Sequence, residues 1–418
     1  MRRIAINGRN RLKGEVRISG SKNSALAILA ATILLPGKTT IRNVPNLLDV
    51  QTIIRVLRAL GLRAEYSASQ PNTVEVWNND VKHVAPYELV TKMRASFFVV
   101  GPILARKGLA KVPLPGGCAI GSRPVNLHIK GLEALGASVE MEHGFVIVRA
   151  KKLKGAKVYI DFPSVGATET VMMAATLADG QTIIENAACE PEVIDLANFL
   201  NKAGARISGA GTEQISIEGV AELNPVEYRI LPDRIEAGTF MVAAAITRGD
   251  VLVKGIVPEH IESTVRKLKE IGVNVDVEGD QALVTVKDGI RAADVKTLPF
   301  PGFPTDMQPQ LCALLSVAKG TSVVTETVFE NRFMHVSELK RMGADIKLEG
   351  QSAIINGVPG LSSAPVKVSD LRAGAALVIA GLAAQGETII EDQDHHIERG
   401  YENIQQKLAG LGVEIEIV

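Results

Sequence analysis

The sequence predicts a mixed α/β protein of two lobes, built from six copies of one folding unit with three copies in each lobe. An apolar helical stretch that closes with a glycine and runs into a β-like segment recurs about every 70 residues. A second helix, amphipathic and also closed by a glycine, ends about 25 residues later. Regular spacing over a whole chain is typical of a repeat architecture.

Each repeat is predicted to contain a strand, a buried helix, a strand, an amphipathic helix and two further strands. The first helix is apolar on nearly all sides and is expected inside a lobe, whereas the second has a polar face. The glycine that closes the second helix stands where a helix end needs positive φ. The first series of glycines is Gly37, Gly108, Gly180, Gly249, Gly320 and Gly386. The second series is Gly61, Gly136, Gly204, Gly272, Gly343 and Gly412.

The break between the lobes is expected around Pro225, between the third and fourth repeats. Residues 20–229 then form the first lobe, with repeats one to three and Cys118. Residues 1–19 and 230–418 form the second lobe, with repeats four to six. The N-terminal strand is assigned there because the first 19 residues precede the first repeat and the last repeat ends the chain.

The composition argues against several classes of function. With 46 basic and 46 acidic residues among 418, the chain has no net charge to hold nucleic acid or a membrane surface. No apolar run approaches the ~18 residues of a membrane span, and no signal segment is evident. Cys118, Cys189 and Cys312 have neither disulfide-framework nor metal-site spacing, which fits a reducing compartment. We therefore expect a soluble cytoplasmic protein. We also expect a monomer, although none of these composition features bears on oligomeric state.

Charged and polar residues stand at the predicted starts of the six buried helices. A helix N-terminus binds anions through its free N–H groups and partial positive charge, so cations placed there oppose the helix dipole. The alternative is that these side chains pair with surface carboxylates and serve no function. If the helices of a lobe run parallel, their N-termini face one electropositive cleft. The residues are Lys22, Arg94, Ser164, Arg234, Asp306 and Arg372.

The segment 113–124 (PLPGGCAIGSRP) is predicted to be an exposed loop around one thiol. Glycines surround Cys118, and Arg123 lies close by in sequence; a positive neighbour and exposure favour a reactive thiolate. Such a thiol serves as a proton donor or as a transient covalent site. The alternative of a small buried hydrophobic residue suits Cys189 and Cys312 better.

Asp306 follows a proline and a threonine at a helix start (FPTDM). An aspartate there caps the helix, or it faces the cleft and accepts a hydroxyl proton, and one residue can do both. Planar guanidinium groups suit carboxylate and phosphate, so several arginines together with Lys22 are able to hold a trianionic molecule. Those arginines are Arg123, Arg332, Arg372 and Arg399. Neither a Walker A motif nor a GxGxxG fingerprint is present.

Nine motifs, in order along the chain, resemble the UDP-N-acetylglucosamine 1-carboxyvinyltransferase family, the enolpyruvyl transferases of early peptidoglycan synthesis. They are SGSKNSAL, TKMRASFFVVGP, PLPGGCAIGSRPVNLH, PSVGATET, LPDRIEAGTF, FPTDMQ, ETVFENRFMH, DLRAGAALV and HIERGYE. The resemblance implies a two-lobed inside-out α/β barrel of six units. It also implies transfer of the enolpyruvyl group from phosphoenolpyruvate to the 3′-hydroxyl of UDP-N-acetylglucosamine with release of phosphate, and no cofactor.

The resemblance further implies roles for individual residues. Cys118 would protonate the methylene carbon of phosphoenolpyruvate and Asp306 would act as base on the sugar hydroxyl. Phosphate would be held by Lys22, Arg123 and Arg399, and carboxylate by Arg332 and Arg372. Closure of the Cys118 loop and the lobes would exclude water. The sugar nucleotide would contact Asn23, Arg94, Arg123, Pro124, Val125, Asn126, Leu127, Phe162, Pro163, Ser164, Val165, Asp306 and Val328.

Three positions depart from some members of the family. Phe162 stands where some have Lys, Asn126 where some have Asp, and Leu48 where some have Lys. These departures bear on contacts to the uridine side rather than on the reaction. Cys118, where some relatives have Asp, implies sensitivity to fosfomycin, an epoxide that alkylates this thiol in the family.

Three other functions are compatible with parts of the pattern. The first is the sister enzyme that uses shikimate 3-phosphate, which is expected to lack the PGGC and SVGAT segments. A non-catalytic sensor of the sugar nucleotide would not need to keep Cys118, Asp306 and the arginines. A nucleic-acid-binding repeat protein would need a basic face and stacking aromatics, and one tryptophan, five tyrosines and zero net charge do not provide them.

Overall fold

The computed structural model describes residues 3–8, 11–116 and 125–418. These residues form two compact units. The first unit comprises the described residues between Gly20 and Leu231. The second comprises the described residues up to Ser19 together with Pro232–Val418. Cys118, Arg123 and Pro124, singled out above, lie outside the described residues.

Two strands of the second unit open the chain, β1 (Arg3–Asn7) and β2 (Lys13–Arg17). The helices of the first unit are α1 (Lys22–Ala31), α2 (Leu48–Ala59), α3 (Tyr87–Val90), α4 (Val100–Lys107), α5 (Asn126–Ala134), α6 (Val165–Ala175) and α7 (Pro191–Lys202), with 3₁₀ helices at Thr32–Leu34 and Arg94–Val99. Its strands are β3 (Gly37–Arg42), β4 (Arg63–Tyr66), β5 (Thr73–Asn78), β6 (Leu109–Pro113), β7 (Ser138–Glu142), β8 (Phe145–Arg149), β9 (Lys157–Tyr159), β10 (Gln181–Glu185), β11 (Arg206–Ser208), β12 (Gln214–Glu218) and β13 (Glu227–Arg229).

The first unit contains three sheets, with strand orders β13-β3-β5-β4, β6-β8-β7 and β11-β12-β10-β9. In the third sheet β9, which precedes the buried helix α6, pairs parallel with β10, which follows that helix. The other pairings in this sheet and those between β3, β5 and β4 in the first sheet are antiparallel. β13, the last strand of this unit, pairs parallel with β3, the first. The third repeat therefore completes the sheet of the first repeat.

The helices of the second unit are α8 (Arg234–Ile246), α9 (Pro258–Ile271), α10 (Gln308–Leu315), α11 (His335–Arg341), α12 (Leu371–Ala383), α13 (His396–Gly400) and α14 (Ile404–Ala409), with a 3₁₀ helix at Thr305–Met307. Its remaining strands are β14 (Asp250–Lys254), β15 (Asn274–Glu278), β16 (Gln281–Thr285), β17 (Val295–Lys296), β18 (Thr321–Thr325), β19 (Asp345–Glu349), β20 (Ser352–Asn356), β21 (Pro365–Lys367), β22 (Glu387–Glu391) and β23 (Ile415–Ile417).

The two N-terminal strands complete two sheets of the second unit. Its strand orders are β15-β16-β14-β2, β17-β18-β20-β19 and β21-β22-β1-β23. β2 pairs parallel with β14, and β1 lies antiparallel between β22 and β23. β1 has the same position in its sheet as β20 has in the sheet of the fifth repeat. The start of the chain therefore supplies the final strand of the sixth repeat. The mixed α/β class and the six-repeat plan are confirmed, and the described strands form six separate sheets rather than one closed barrel.

The first helix of each repeat is buried, as its composition predicts. In α8 every residue after Arg234 is buried, and in α10 every residue is buried. The amphipathic helices bury one face; α9 buries Ile261, Val265, Leu268 and Ile271 and ends at Gly272 with φ 100°. All six glycines of the second series have positive φ. In the first series Gly249 differs, because Arg248 adopts the left-handed conformation with φ 51° one residue earlier.

Gly357 makes a close backbone contact that repeats in the fold. It follows β20, donates its N–H to Gly320 O at 2.9 Å, and a β-carbon there would overlap the carbonyl oxygen of Ala318. Gly357→Ala is expected to destabilise the second unit by about 3 kcal/mol, because the backbone has to move. Thermal unfolding measures this. Gly360→Ala is the control, because no atom lies within 4 Å of its β-carbon position; equal effects of the two variants would contradict the explanation.

Among the described residues, the structure has no helix that is both long enough and apolar enough to cross a membrane.

Candidate active site

Asp306 lies between two buried arginines of the second unit. Arg332 Nη2 donates to Asp306 Oδ1 at 2.9 Å. Arg372 donates to Asp306 Oδ2 from Nε at 3.1 Å and from Nη2 at 3.0 Å. The arginine side chains are 2% and 3% exposed, whereas that of Asp306 is 28% exposed. The carboxylate is thus held by two cations and still reaches solvent.

Asp306 and Arg372 lie at the starts of helical segments, and Arg332 lies in the turn before α11. Asp306 lies in the 3₁₀ helix Thr305–Met307, directly before α10. Arg372 is the second residue of α12, whose N-cap Asp370 accepts the backbone N–H groups of Arg372 and Ala373 at 2.9 and 3.1 Å. A carboxylate cap stabilises a helix N-terminus, and here it offsets the cation that opposes the dipole.

The two arginines have more donors than Asp306 uses. Arg332 Nε and Arg372 Nη1 are buried and have no hydrogen-bond partner among the described residues. Burying a donor without a partner costs free energy, so such groups are expected where a ligand binds. This observation contradicts the alternative that these two arginines are merely surface side chains paired with surface carboxylates.

Arg372 packs against a buried polar cluster formed by Tyr401, Thr239 and Gln310. The ring of Tyr401 lies 5.3 Å from the guanidinium carbon of Arg372. The Tyr401 hydroxyl contacts Thr239 Oγ1 at 3.1 Å and accepts from Gln310 Nε2 at 3.2 Å. Burial raises the pKa of Tyr401. The tyrosine therefore stays neutral, and it holds the arginine plane by stacking and its hydroxyl by hydrogen bonds.

The other predicted residues of the second unit lie in one loop and two helices. Arg399 is the fourth of five residues in α13 and is partly buried. Val328 donates its backbone N–H to Glu326 Oε1 at 2.8 Å in the segment that leads to Arg332. Arg234 is the first residue of α8, and its guanidinium lies 5.9 Å from the ring of Phe300.

In the first unit, Lys22 begins α1 and forms an ion pair with Asp49 Oδ2 at 3.3 Å. Both side chains are largely buried. Ser21 is the N-cap of α1 and accepts the Ser24 N–H at 3.3 Å. Asn23 follows Lys22 and is partly buried. The cation at this helix start thus has a carboxylate partner contributed by α2.

The remaining predicted contacts of the first unit also lie at helix starts. Arg94 opens the 3₁₀ helix Arg94–Val99 before α4, and Ser164 is the N-cap of α6. Phe162 and Asn126 are exposed, and Leu48 is the first residue of α2. The neighbours of these residues at the two helix starts are buried or partly buried; they are Val125, Leu127, Pro163 and Val165.

The two described cysteines behave as ordinary small residues. Cys312 lies fully buried in α10, and burial raises the pKa of its thiol. Cys189 is partly buried, its thiol donates to Ala187 O at 3.7 Å, and burial raises its pKa too. Neither is disposed to form a thiolate. The described residues contain no group of three His, Cys, Asp or Glu side chains suited to a metal ion.

Sequence reasoning missed the carboxylates that hold the site residues. Asp49, Asp370 and Glu326 lie within ordinary helix or strand patterns, and only their structural partners distinguish them. Glu236 is buried and hydrogen-bonds Lys407 at 2.5 Å and the Ser19 N–H at 2.7 Å. Burial raises its pKa to about 6. Of these carboxylates, only Asp370 could have been found from the sequence, because it lies two residues before Arg372 at a predicted helix start.

Asp195 on α7 is hydrogen-bonded to the last residues of the first unit. It accepts from the Tyr228 hydroxyl at 2.6 Å and from the Leu231 N–H at 3.3 Å. Burial raises its pKa from 3.8 to about 6, although these hydrogen bonds act to lower it. Between those values the folded chain binds more protons at Asp195 than the unfolded chain does.

Stability is therefore expected to fall as the pH rises from about 4 to about 6. Asp195→Asn removes this contribution. Between pH 4 and pH 6 the free energy of unfolding should therefore fall by about 2 to 3 kcal/mol more in the wild type than in the variant. Denaturant unfolding at a series of pH values measures the difference. Asp179→Asn, at an exposed ion pair with Lys152, is the control. An undiminished slope in Asp195→Asn would contradict the assignment.

Chemically, the described residues combine an anion-holding set with a proton acceptor. Two fixed guanidinium groups stabilise negative charge on a bound carboxylate or phosphate. The Asp306 carboxylate, paired with both arginines and partly open to solvent, is a group able to accept a proton from a hydroxyl.

Known proteins that are similar to this chain match it over nearly its whole length. The sequence model of the family described as EPSP synthase (3-phosphoshikimate 1-carboxyvinyltransferase) matches residues 6–408. The UDP-N-acetylglucosamine 1-carboxyvinyltransferase 1 of Caldanaerobacter subterraneus subsp. tengcongensis is 57% identical over 404 residues, which cover 97% of this chain and 96% of that one. The UDP-N-acetylglucosamine 1-carboxyvinyltransferase of Synechocystis sp. is 54% identical and covers 99% of this chain and 94% of its own.

Solved structures show the same fold. The enolpyruvyl transferase NikO from Streptomyces tendae has a TM-score of 0.89 and 25% identity, covering 100% of this chain and 99% of its own. The EPSP synthase of Acinetobacter baumannii has a TM-score of 0.75 and 19% identity over the full length of both chains, a likeness of fold alone. The chain therefore belongs to the UDP-N-acetylglucosamine 1-carboxyvinyltransferase family of enolpyruvyl transferases, within the broader EPSP synthase family.

Proposed function

We propose that the protein transfers the enolpyruvyl group of phosphoenolpyruvate to the 3′-hydroxyl of UDP-N-acetylglucosamine and releases phosphate, the first committed step of peptidoglycan synthesis. The observation that carries this function is 57% identity over 97% of the chain to a relative of that name. The buried arginines around Asp306 support it, because the reaction needs a proton acceptor beside groups that stabilise negative charge.

The proposed reaction proceeds by addition and elimination. Asp306 takes the proton of the sugar 3′-hydroxyl as its oxygen attacks the central carbon of phosphoenolpyruvate. Cys118 gives its thiol proton to the methylene carbon. The tetrahedral intermediate keeps both the carboxylate and the phosphate; loss of a proton from the new methyl group then restores the double bond and expels phosphate.

The anionic groups of phosphoenolpyruvate are assigned to two sets of cations. Lys22, Arg123 and Arg399 would bind phosphate. Arg332 and Arg372 would bind carboxylate, and their contacts of 2.9–3.1 Å to the Asp306 carboxylate support the assignment, since each still has a buried donor without a partner in the described chain. Fixed donors in a water-poor site stabilise developing charge without reorganisation.

The resemblance to the family assigns the sugar nucleotide to a set of residues that includes Asp306 and Val328. Exposed Phe162 and Asn126 are available for contact with the uridine side. The contacts proposed in the first unit are Asn23, Arg94, Arg123, Pro124, Val125, Asn126, Leu127, Phe162, Pro163, Ser164 and Val165. We also propose that the protein is cytoplasmic, because its cysteines suit a reducing compartment, and that it acts as a monomer.

Phosphate release from phosphoenolpyruvate tests the function. UDP-N-acetylglucosamine and shikimate 3-phosphate are compared as acceptors, each with and without fosfomycin. Release that requires the sugar nucleotide and is stopped by fosfomycin is the expected result, and it also tests the role of Cys118. Release only with shikimate 3-phosphate would assign the protein to the sister enzyme, and release with neither would favour a sugar-nucleotide sensor.

Arg399→Ala should affect binding of phosphoenolpyruvate and not binding of UDP-N-acetylglucosamine. The variant is expected to raise the KM for phosphoenolpyruvate by about tenfold or more, because a cation that pairs with phosphate is lost. Affinity for UDP-N-acetylglucosamine, measured by calorimetry, should change little. The reverse pattern would overturn the assignment of Arg399 to phosphate.

A further inference from the structure

Glu326 is a buried carboxylate to which the reaction scheme gives no role. It follows β18 directly and is 1% exposed. Both of its oxygens are used, since together they accept four hydrogen bonds from three chain segments. An ionised group at this depth is tolerated only when donors replace its hydration.

One oxygen holds the turn that carries Asp306. Thr305 Oγ1 donates to Glu326 Oε2 at 2.8 Å. Thr305 immediately precedes Asp306 in the 3₁₀ helix Thr305–Met307. The hydroxyl of Thr305 therefore connects the backbone beneath the proposed base to a fixed, buried acceptor.

The other oxygen holds the segment that leads to Arg332. The backbone N–H groups of Val328 and Phe329 donate to Glu326 Oε1 at 2.8 and 3.3 Å. Thr297 Oγ1 donates to the same oxygen at 2.8 Å and accepts the Thr327 N–H at 3.0 Å. The segment between β18 and α11 is thus fixed at its beginning, a few residues before Arg332 binds Asp306.

We propose that Glu326 is a positioning residue for the reaction, which sets the Asp306 turn and the Val328–Arg332 segment relative to each other through Thr305 and two backbone N–H groups. The inference rests on the proposed function. A proton acceptor works only when its oxygen lies within hydrogen-bond reach of the hydroxyl, and small misplacements cost large factors in rate. A charged anchor with four directional bonds fixes that geometry more strictly than apolar packing does.

The test uses variants of Thr305, because they break one bond and leave Glu326 otherwise satisfied. Thr305→Val keeps the shape and removes the hydroxyl; Thr305→Ser keeps the hydroxyl and removes the methyl group. Thr325→Val is the matched control. Thr325 is the last residue of β18, directly before Glu326, and the same substitution there removes a hydrogen bond between its hydroxyl and Ser352 Oγ. Phosphate release gives kcat and both KM values, normalised to the folded fraction measured by circular dichroism.

Thr305→Val is expected to lower kcat by about tenfold or more with both KM values within about twofold of wild type. Thr305→Ser and Thr325→Val should retain wild-type kcat. Glu326→Ala should lower kcat at least as far, and adding Thr305→Val to it should cause no further loss, because the bond between the two residues is already absent.

Three results would overturn the inference. They are wild-type kcat in Thr305→Val, equal losses in Thr305→Val and Thr325→Val, or multiplied losses in the double variant. In each of these the wild type still releases phosphate with the sugar nucleotide, so the proposed function stands. Failure of the wild type itself would overturn the proposed function, and this inference with it.

Discussion

Replacing Asp306 by asparagine is expected to lower kcat by about a thousandfold, because an amide cannot accept the hydroxyl proton. The substitution keeps the size of the side chain and leaves one oxygen to accept from Arg332 or Arg372, which hold the carboxylate at 2.9–3.1 Å. The KM values should change much less than kcat, because the group acts on the transition state. Phosphate release at saturating substrates measures the loss.

The same variant is expected to unfold at a lower temperature. Arg332 and Arg372 are almost completely buried and would lose their shared counter-charge. Activity is therefore compared at a temperature at which both proteins are folded. Asp294→Asn is the control, since Asp294 is an exposed residue whose carboxylate accepts the Val323 N–H at 2.8 Å. Activity of Asp306→Asn within tenfold of wild type would contradict its role as base.

Arg372→Lys is expected to lower kcat/KM for phosphoenolpyruvate by about a hundredfold, although the charge is conserved. Arg372 uses Nε and Nη2 together on one oxygen of Asp306 and stacks on Tyr401. A lysine ammonium is a compact point charge, and it reproduces neither the two-pronged contact nor the stacking. Steady-state kinetics at varied phosphoenolpyruvate measures the effect.

A matched control for this charge-conserving change is Arg341→Lys, at an exposed residue of the same unit that pairs with Glu338. It should leave kcat/KM unchanged, because exposed ion pairs contribute little. If Arg372→Lys also had the kcat/KM of the wild type, the paired Nε and Nη2 donors of the guanidinium group would not matter. The assignment of Arg372 to carboxylate binding would then fail.

The repeat plan was predictable because it depends on local requirements. A helix that ends in a left-handed residue favours glycine whatever surrounds it, so Gly61 and Gly272 mark helix ends from sequence alone. Gly249, in the first series, lies close to the backbone of Leu12, and Arg248 before it takes the left-handed conformation. That contact joins residues far apart in sequence, and a local pattern does not report it.

The site was predictable in its residue types and less so in its connections. Lys22, Arg94, Asp306 and Arg372 lie at helical starts, as their positions before the apolar stretches predicted. The binding of one carboxylate by two arginines depends on tertiary structure. Glu326 was missed for the same reason. Its four hydrogen-bond donors come from three separate segments, and the residues next to it in sequence have the pattern of an ordinary strand.

The most direct test of the central claim is to identify the product formed from isotope-labelled phosphoenolpyruvate and UDP-N-acetylglucosamine. Nuclear magnetic resonance with ¹³C at the central carbon of phosphoenolpyruvate reports which oxygen that carbon joins. The account predicts a vinyl ether at the 3′-oxygen of the sugar, formed together with free phosphate and formed about a thousandfold more slowly by Asp306→Asn. A vinyl ether formed only when shikimate 3-phosphate is supplied, or no new ether with either acceptor, would contradict it.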